Sequence, residues 1–197
     1  MKLRTGLQFS DVEKFRSVEA TSIWERSDTF IGQMEGACDI VQARRSVGEP
    51  AKATLLHIHF TIFRDRIGAG VLRQKAIQPL YRGHDCPEPQ FVERSLDNFF
   101  NWLTAESLAE IHPIERAALV LTRIVDIWPF EFGNLTVAIV FSNLFLRQAG
   151  FSPFFVLPEH MKEFNRVVAQ AMAIDTQPLV NAIHKTIKRE MEAIAPR

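Results

Sequence analysis

The chain has 197 residues, 47% hydrophobic and 23% charged, the composition of a soluble globular domain long enough to bury a core without disulfide or metal staples. Lys plus Arg equals Asp plus Glu at 23 each, so no global field draws the chain toward nucleic acid or an anionic membrane. No window approaches the ~18 uninterrupted apolar residues of a membrane span. Cys38 and Cys86 are too few for a disulfide framework or a zinc site. With no signal-peptide pattern in MKLRTGLQFSDVEKF, they lead to the expectation of a cytoplasmic protein.

Taken in chain order, the pattern is helical almost throughout. Ser10-Asp11 offers an N-cap, with Val12, Phe15 and Val18 following at helical spacing. A second helix is predicted from about Asp28 to about Ser46. Pro50 opens a third, on which Ala53, Leu56, His57, Phe60 and Phe63 fall on one face. The Gly68-Ala69-Gly70 breaker stops it. Gln74 to Tyr81 reads as a short extended hairpin or flap, followed by the loop RGHDCPEPQ. Val92, Leu96, Phe99, Phe100 and Leu103 mark the next helix. Pro113 then suits a first helical turn. Ile114, Ala117, Ala118, Leu121, Ile124, Val125 and Trp128 keep the i, i+3, i+4, i+7 rule after it. Pro129 ends that helix by pushing its predecessor out of the α region.

Gly133-Asn134 starts a helix that is apolar nearly all round, which belongs at the centre of a fold. Gly150 closes it. Two further helices follow Pro158 and Thr176, the last with the stripe Leu179, Ile183, Ile187, Met191 and Ile194. The expected class is all-α, a helical bundle around a central buried helix, with a short β-hairpin flap as its one extended element.

The segment IHPIERAALVLTRIVDIWPFEFGN, Ile111 to Asn134, resembles the core of Fic (Fido) domains. In that family a helix ends in a loop of the pattern H-P-F-x-[D/E]-G-N-G-R-x-x-R that opens the next helix. Ala69 to Arg73 resembles the family's A-G-x-x-R segment before the flap, and Pro87 to Val92 the P-x-x-V after it. Gln33-Met34-Glu35-Gly36 resembles the inhibitory S/T-x-x-x-E-G helix. The resemblance covers about residues 25–150, and the expectation is one Fic-like domain over residues 1–197. Its N-terminal helices would occupy about 1–50, its core about 51–150 and its C-terminal helices about 151–197.

It also implies a reaction, transfer of AMP from ATP to a protein hydroxyl. The motif His would act as general base, the acidic residue would hold Mg²⁺, and the Gly-Asn-Gly backbone with two arginines would hold phosphate. In this sequence Trp128 stands at the base position and Phe132 at the metal position. Pro129, Phe130, Gly133 and Asn134 match. Leu135 replaces the second glycine, and Thr136 and Ile139 replace the two arginines. Glu35 and Gly36 match the inhibitory helix, but Ile31 stands at its Ser/Thr position and Glu35 has no motif arginine to pair with.

No catalytic residue is therefore assigned. The nucleotide-binding positions carried over are Phe130, Gly133, Asn134 and Thr136, and Glu35 and Gly36 are inhibitory-like. No metal ligand is assigned; Glu131 stands one residue early for that role. ATP and Mg²⁺ are implied by the resemblance alone. His84 falls in the flap region, either as an exposed loop histidine or approaching the site from above. Trp128 either fills the volume of the missing His or stacks on a ligand or partner. Gly133-Asn134 is either a helix start with an Asn N-cap or a weak anion site.

The expected function is a degenerate Fic-domain protein, impaired in AMP transfer, that acts by binding or regulation. The alternative is a divergent Fic enzyme using non-standard residues for nucleotidyl or related phosphate-ester transfer. A protein partner is expected at an apolar mouth of Trp128, Phe130 and Phe132, with nucleotide and a homodimer left open.

Overall fold

The computed structural model describes residues 36–37, 39–40, 51–77, 81, 84–105, 110–154, 156, 160–173 and 175–194. Among the described residues six helices carry the fold: α1 (Lys52–Phe63), α2 (Pro89–Leu103), α3 (Pro113–Ile127), α4 (Asn134–Gln148), α5 (Met161–Ala173) and α6 (Gln177–Ile194). The all-α class is as expected. The predicted helices around Ser10 and much of that over 28–46 lie outside the described residues, although Gly36, Ala37, Asp39 and Ile40 are helical.

Helix α4 is the axis of the bundle. Every residue from Asn134 to Leu146 is buried, which its nearly uninterrupted apolar sequence demands. Helix α3 packs against it as the other half of a hairpin. Pro113 opens α3, and His112 caps it by accepting the Ile114 N–H at Nδ1, 3.3 Å away. Beyond α4 the Asn143 carboxamide clamps both backbone groups of Phe154, at 3.1 and 3.0 Å. That clamp steers the chain back over α4 toward α5. Helices α5 and α6 form a second hairpin, and Leu179, Ile183 and Ile187 turn the α6 stripe onto the core.

Two expectations change. Helix α1 buries Leu55, Ile58, His59, Ile62 and Phe63; of the predicted face only Phe63 is fully buried, Leu56 is partly buried, and Ala53, His57 and Phe60 are exposed. LLHIHFTIF carries two apolar stripes, and the one that meets the α3–α4 loop is buried. Phe60 is left half-exposed. The hairpin over Gln74 to Tyr81 is also absent among the described residues: 71–77 follow an irregular path. Arg73 gives its backbone N–H to the Pro129 carbonyl, 2.9 Å away, so the segment is tied to the α3–α4 loop.

Candidate functional site

The loop between α3 and α4 is where the motif lies, and it begins with a strained residue. Trp128 adopts φ 49°, ψ 62°, the left-handed region, while its N–H still closes α3 on the Ile124 carbonyl. For a bulky side chain that conformation costs roughly 1–2 kcal/mol. The surroundings hold it there. Arg73 Nε donates to the Trp128 carbonyl at 2.7 Å, and Tyr81 meets the indole edge-on at 6.2 Å. Arg73 also donates to the carbonyls of Lys75 and Pro87. Its side chain is buried, and desolvation pulls its pKa below the ordinary arginine value. A guanidinium remains charged there because its planar fork of donors meets three carbonyls at once.

His59 organises the next part of the loop. Its ring stacks on Phe130 at 3.8 Å and 15°, and Phe63 and Phe132 flank it at 5.0 and 5.1 Å. Nδ1 accepts the Gly70 N–H at 2.8 Å, so Nε2 carries the proton and donates to the Phe132 carbonyl at 3.1 Å. Burial drives its pKa down to about 4, against the opposing pull of the Phe132 carbonyl, and nearby Arg66 adds to the lowering. The imidazole is thus neutral and ties α1, the Gly68–Gly70 turn and the motif loop together.

Gly133 has φ 70°, and a Cβ there would lie 2.2 Å from Phe63 Cε2. Only glycine fits between this left-handed turn and the Phe63 ring. The N-cap of α4 is Gly133, not Asn134. Asn134 is the first helical residue, and its buried carboxamide bonds both backbone groups of Phe130, at 2.8 and 3.0 Å. The Phe130 amide is therefore already engaged.

The sequence-predicted positions fall as follows. Trp128, Pro129, Phe130, Gly133, Asn134, Leu135, Thr136 and Ile139 are all buried. Phe132 is half-buried, with the Arg66 guanidinium 3.9 Å above its ring. The expected apolar mouth is therefore absent, since two of its three rings face inward. The exposed apolar side chains nearby are Phe60, Ile67 and Val71. Glu131 points to solvent, and no group of three potential metal ligands occurs among the described residues. His84 is not an exposed loop histidine: its Nε2 lies 2.9 Å from the Asp126 carbonyl, at the end of α3. Beside it, burial raises the pKa of the Cys86 thiol, with Arg73 opposing. Gly36 backs onto α1, where a Cβ would come within 3.1 Å of Thr61, while Glu35 lies outside the described residues.

Sequence reading missed His59. Two histidines flank Ile58, and nothing in their spacing tells which one the loop will bury. Arg73 was visible only as the end of the A-G-x-x-R resemblance, with no role attached.

The family model of Fic/DOC proteins matches residues 50–146. The protein adenylyltransferase Fic of Nematostella vectensis is 29% identical over 121 residues, which are 61% of this chain and 28% of that protein. The chain spans about a quarter of the length of the curated relatives it matches. Among solved structures, Fic-1 of C. elegans superposes with a TM-score of 0.73 at 23% identity, covering 96% of this chain and 57% of that one. An IbpAFic2 variant in complex with adenylylated Cdc42 superposes at 0.65 and 19% identity, covering 96% and 66%. The loop built on Trp128, Gly133 and Asn134 lies inside the matched segment, and through that segment the chain belongs to the Fic/DOC family.

Proposed function

We propose that this chain does not transfer AMP through its motif loop and acts by binding a protein. One observation carries the reading: the positions that the family chemistry needs are filled by packed, uncharged side chains. The Trp128 indole has an N–H donor only and cannot take a proton from a hydroxyl. The Phe132 ring offers no oxygen to Mg²⁺, and Arg66 sits on its face with the wrong charge for a metal. Thr136 and Ile139 are buried in the core. Loss of a general base alone removes roughly 100- to 10,000-fold in rate, and loss of the charges that stabilise the transition state removes more.

A protein partner is supported by the apolar turn beside the loop. Ile67 is fully exposed and Val71 is 56% exposed, while a Cβ added at Gly68 between them would lie 3.8 Å from the Phe132 ring. A domain of similar fold, IbpAFic2, is solved in complex with adenylylated Cdc42, which supports a protein as the partner. The half-buried Cys86 thiol accords with a cytoplasmic setting.

The test is a thermal-shift titration with ATP, with and without Mg²⁺, beside an AMP-labelling assay on lysate. A ligand at 100 times its dissociation constant adds about 2.7 kcal/mol to the native state, so moderate affinity would be seen. No Mg²⁺-dependent shift and no labelling are expected. Robust labelling that disappears in Glu131→Ala would defeat the proposal.

A further inference from the structure

A second site lies away from the motif loop, at the open end of the α5–α6 hairpin. A cavity of about 200 Å³ opens there. Its floor is apolar, formed by Val156, Phe164 and Ala182, the first two nearly fully buried. Its rim is basic. Lys185 and Arg189 stand one turn apart on α6 and line the same opening. His160 stands opposite, with Nε2 3.1 Å from Arg189 Nη1. A guanidinium can only donate, so Nε2 accepts and the imidazole proton sits on Nδ1. His160 thereby orients Arg189 and keeps a donor of its own.

Among the described residues the one acidic side chain in the lining, Glu163, is already held by Arg166 at 2.6 and 3.0 Å. Among the described residues no carboxylate pairs with Lys185 or Arg189, whereas Lys188 on the neighbouring face has Glu192 at 3.8 Å. The Thr186 hydroxyl donates to the Ala182 carbonyl, so the donors offered at the rim belong to Lys185, Arg189 and His160. An apolar floor beneath two such cations selects for one chemistry.

We propose that this cavity binds a small molecule whose short apolar chain ends in an anion, a carboxylate or a phosphate. The head group would sit between Lys185 and Arg189 and the chain on Val156, Phe164 and Ala182. Room for about six or seven water-sized groups limits the chain to a few carbons.

The experiment is calorimetric titration of the whole chain with hexanoate, hexyl phosphate and hexanol. Saturable binding of an anion, and none of hexanol, is expected. The anion bound more tightly identifies the head group, and either preference keeps the proposal. Replacing both Lys185→Ala and Arg189→Ala removes two charged hydrogen bonds, and each loss weakens binding about ten-fold or more. Ala182→Leu fills the floor and should abolish binding while the circular dichroism stays native. Hexanol binding as well as hexanoate, no saturable binding of either anion, or undiminished affinity in the double variant would each overturn the assignment.

Discussion

The α3–α4 loop and the mouth of the α5–α6 hairpin use polar groups in opposite ways. At the loop, His59, Arg73 and Asn134 are buried, and their bonds go to backbone groups of Gly70, Trp128, Phe130 and Phe132. At the mouth, Lys185 and Arg189 are exposed and face a cavity without a carboxylate partner among the described residues. The difference separates structural polarity from recognition. A polar group whose bonding capacity is consumed inside the fold stabilises the fold, while one left facing space has capacity for a ligand. Apart from Glu131 and Phe132, the α3–α4 loop is built into the core.

If the loop is core, breaking it should cost as much as a core mutation. Gly133→Ala brings the largest effect. The new methyl meets Phe63 at 2.2 Å and sits at φ 70°. Overpacking and left-handed strain together should lower the unfolding free energy by about 4 kcal/mol. Urea titration reads this directly, and a loss below about 1 kcal/mol would show that the loop gives way easily.

Next comes a pH effect from His59. Its native pKa of about 4 lies below the ordinary 6.5. Between those values the unfolded chain holds the extra proton, so stability rises with pH across this window. The contribution is complete above the unfolded pKa and is lost as pH falls toward about 4, to a total of about 3 kcal/mol. Carboxylates elsewhere also respond to acid, so the measurement is the difference between the wild-type and His59→Gln stability curves. Parallel curves would remove His59 from its bridging role. Arg73→Met should cost less, about 2 kcal/mol, because three carbonyls lose their donor while a buried charge is removed.

Much of this architecture was legible in the sequence. The α3 stripe ending at Pro129, the all-round apolar α4 and the α6 stripe at Leu179, Ile183 and Ile187 stand as read, because each rests on an apolar pattern sustained over several turns. Helix α1 was read on the wrong face, since LLHIHFTIF is apolar on both and only tertiary contact with Phe130 and Phe132 chooses between them. The motif departures could be read residue by residue, but their packing could not. Nothing in WPFEFGN says that Asn134 would turn back onto Phe130, or that Arg66, remote in sequence, would cover Phe132. Those contacts depend on a left-handed turn at Trp128 that propensity disfavours.

The smallest predicted effect draws the contrast most sharply. Lys185→Ala should leave the unfolding free energy within about 0.5 kcal/mol of the wild type, as for an ordinary surface position. Two terms favour the variant: alanine is the better helix former, and the like charge of Arg189 four residues on is relieved. One opposes it, the loss of aliphatic stem lying over the apolar floor. These are of similar size, so the urea midpoint should barely move, while affinity for hexanoate falls about ten-fold. A midpoint that drops by more than about 1 kcal/mol equivalent would mean that Lys185 holds the hairpin together. The mouth would then be structural in the same sense as the loop, and the contrast between the two regions would not stand.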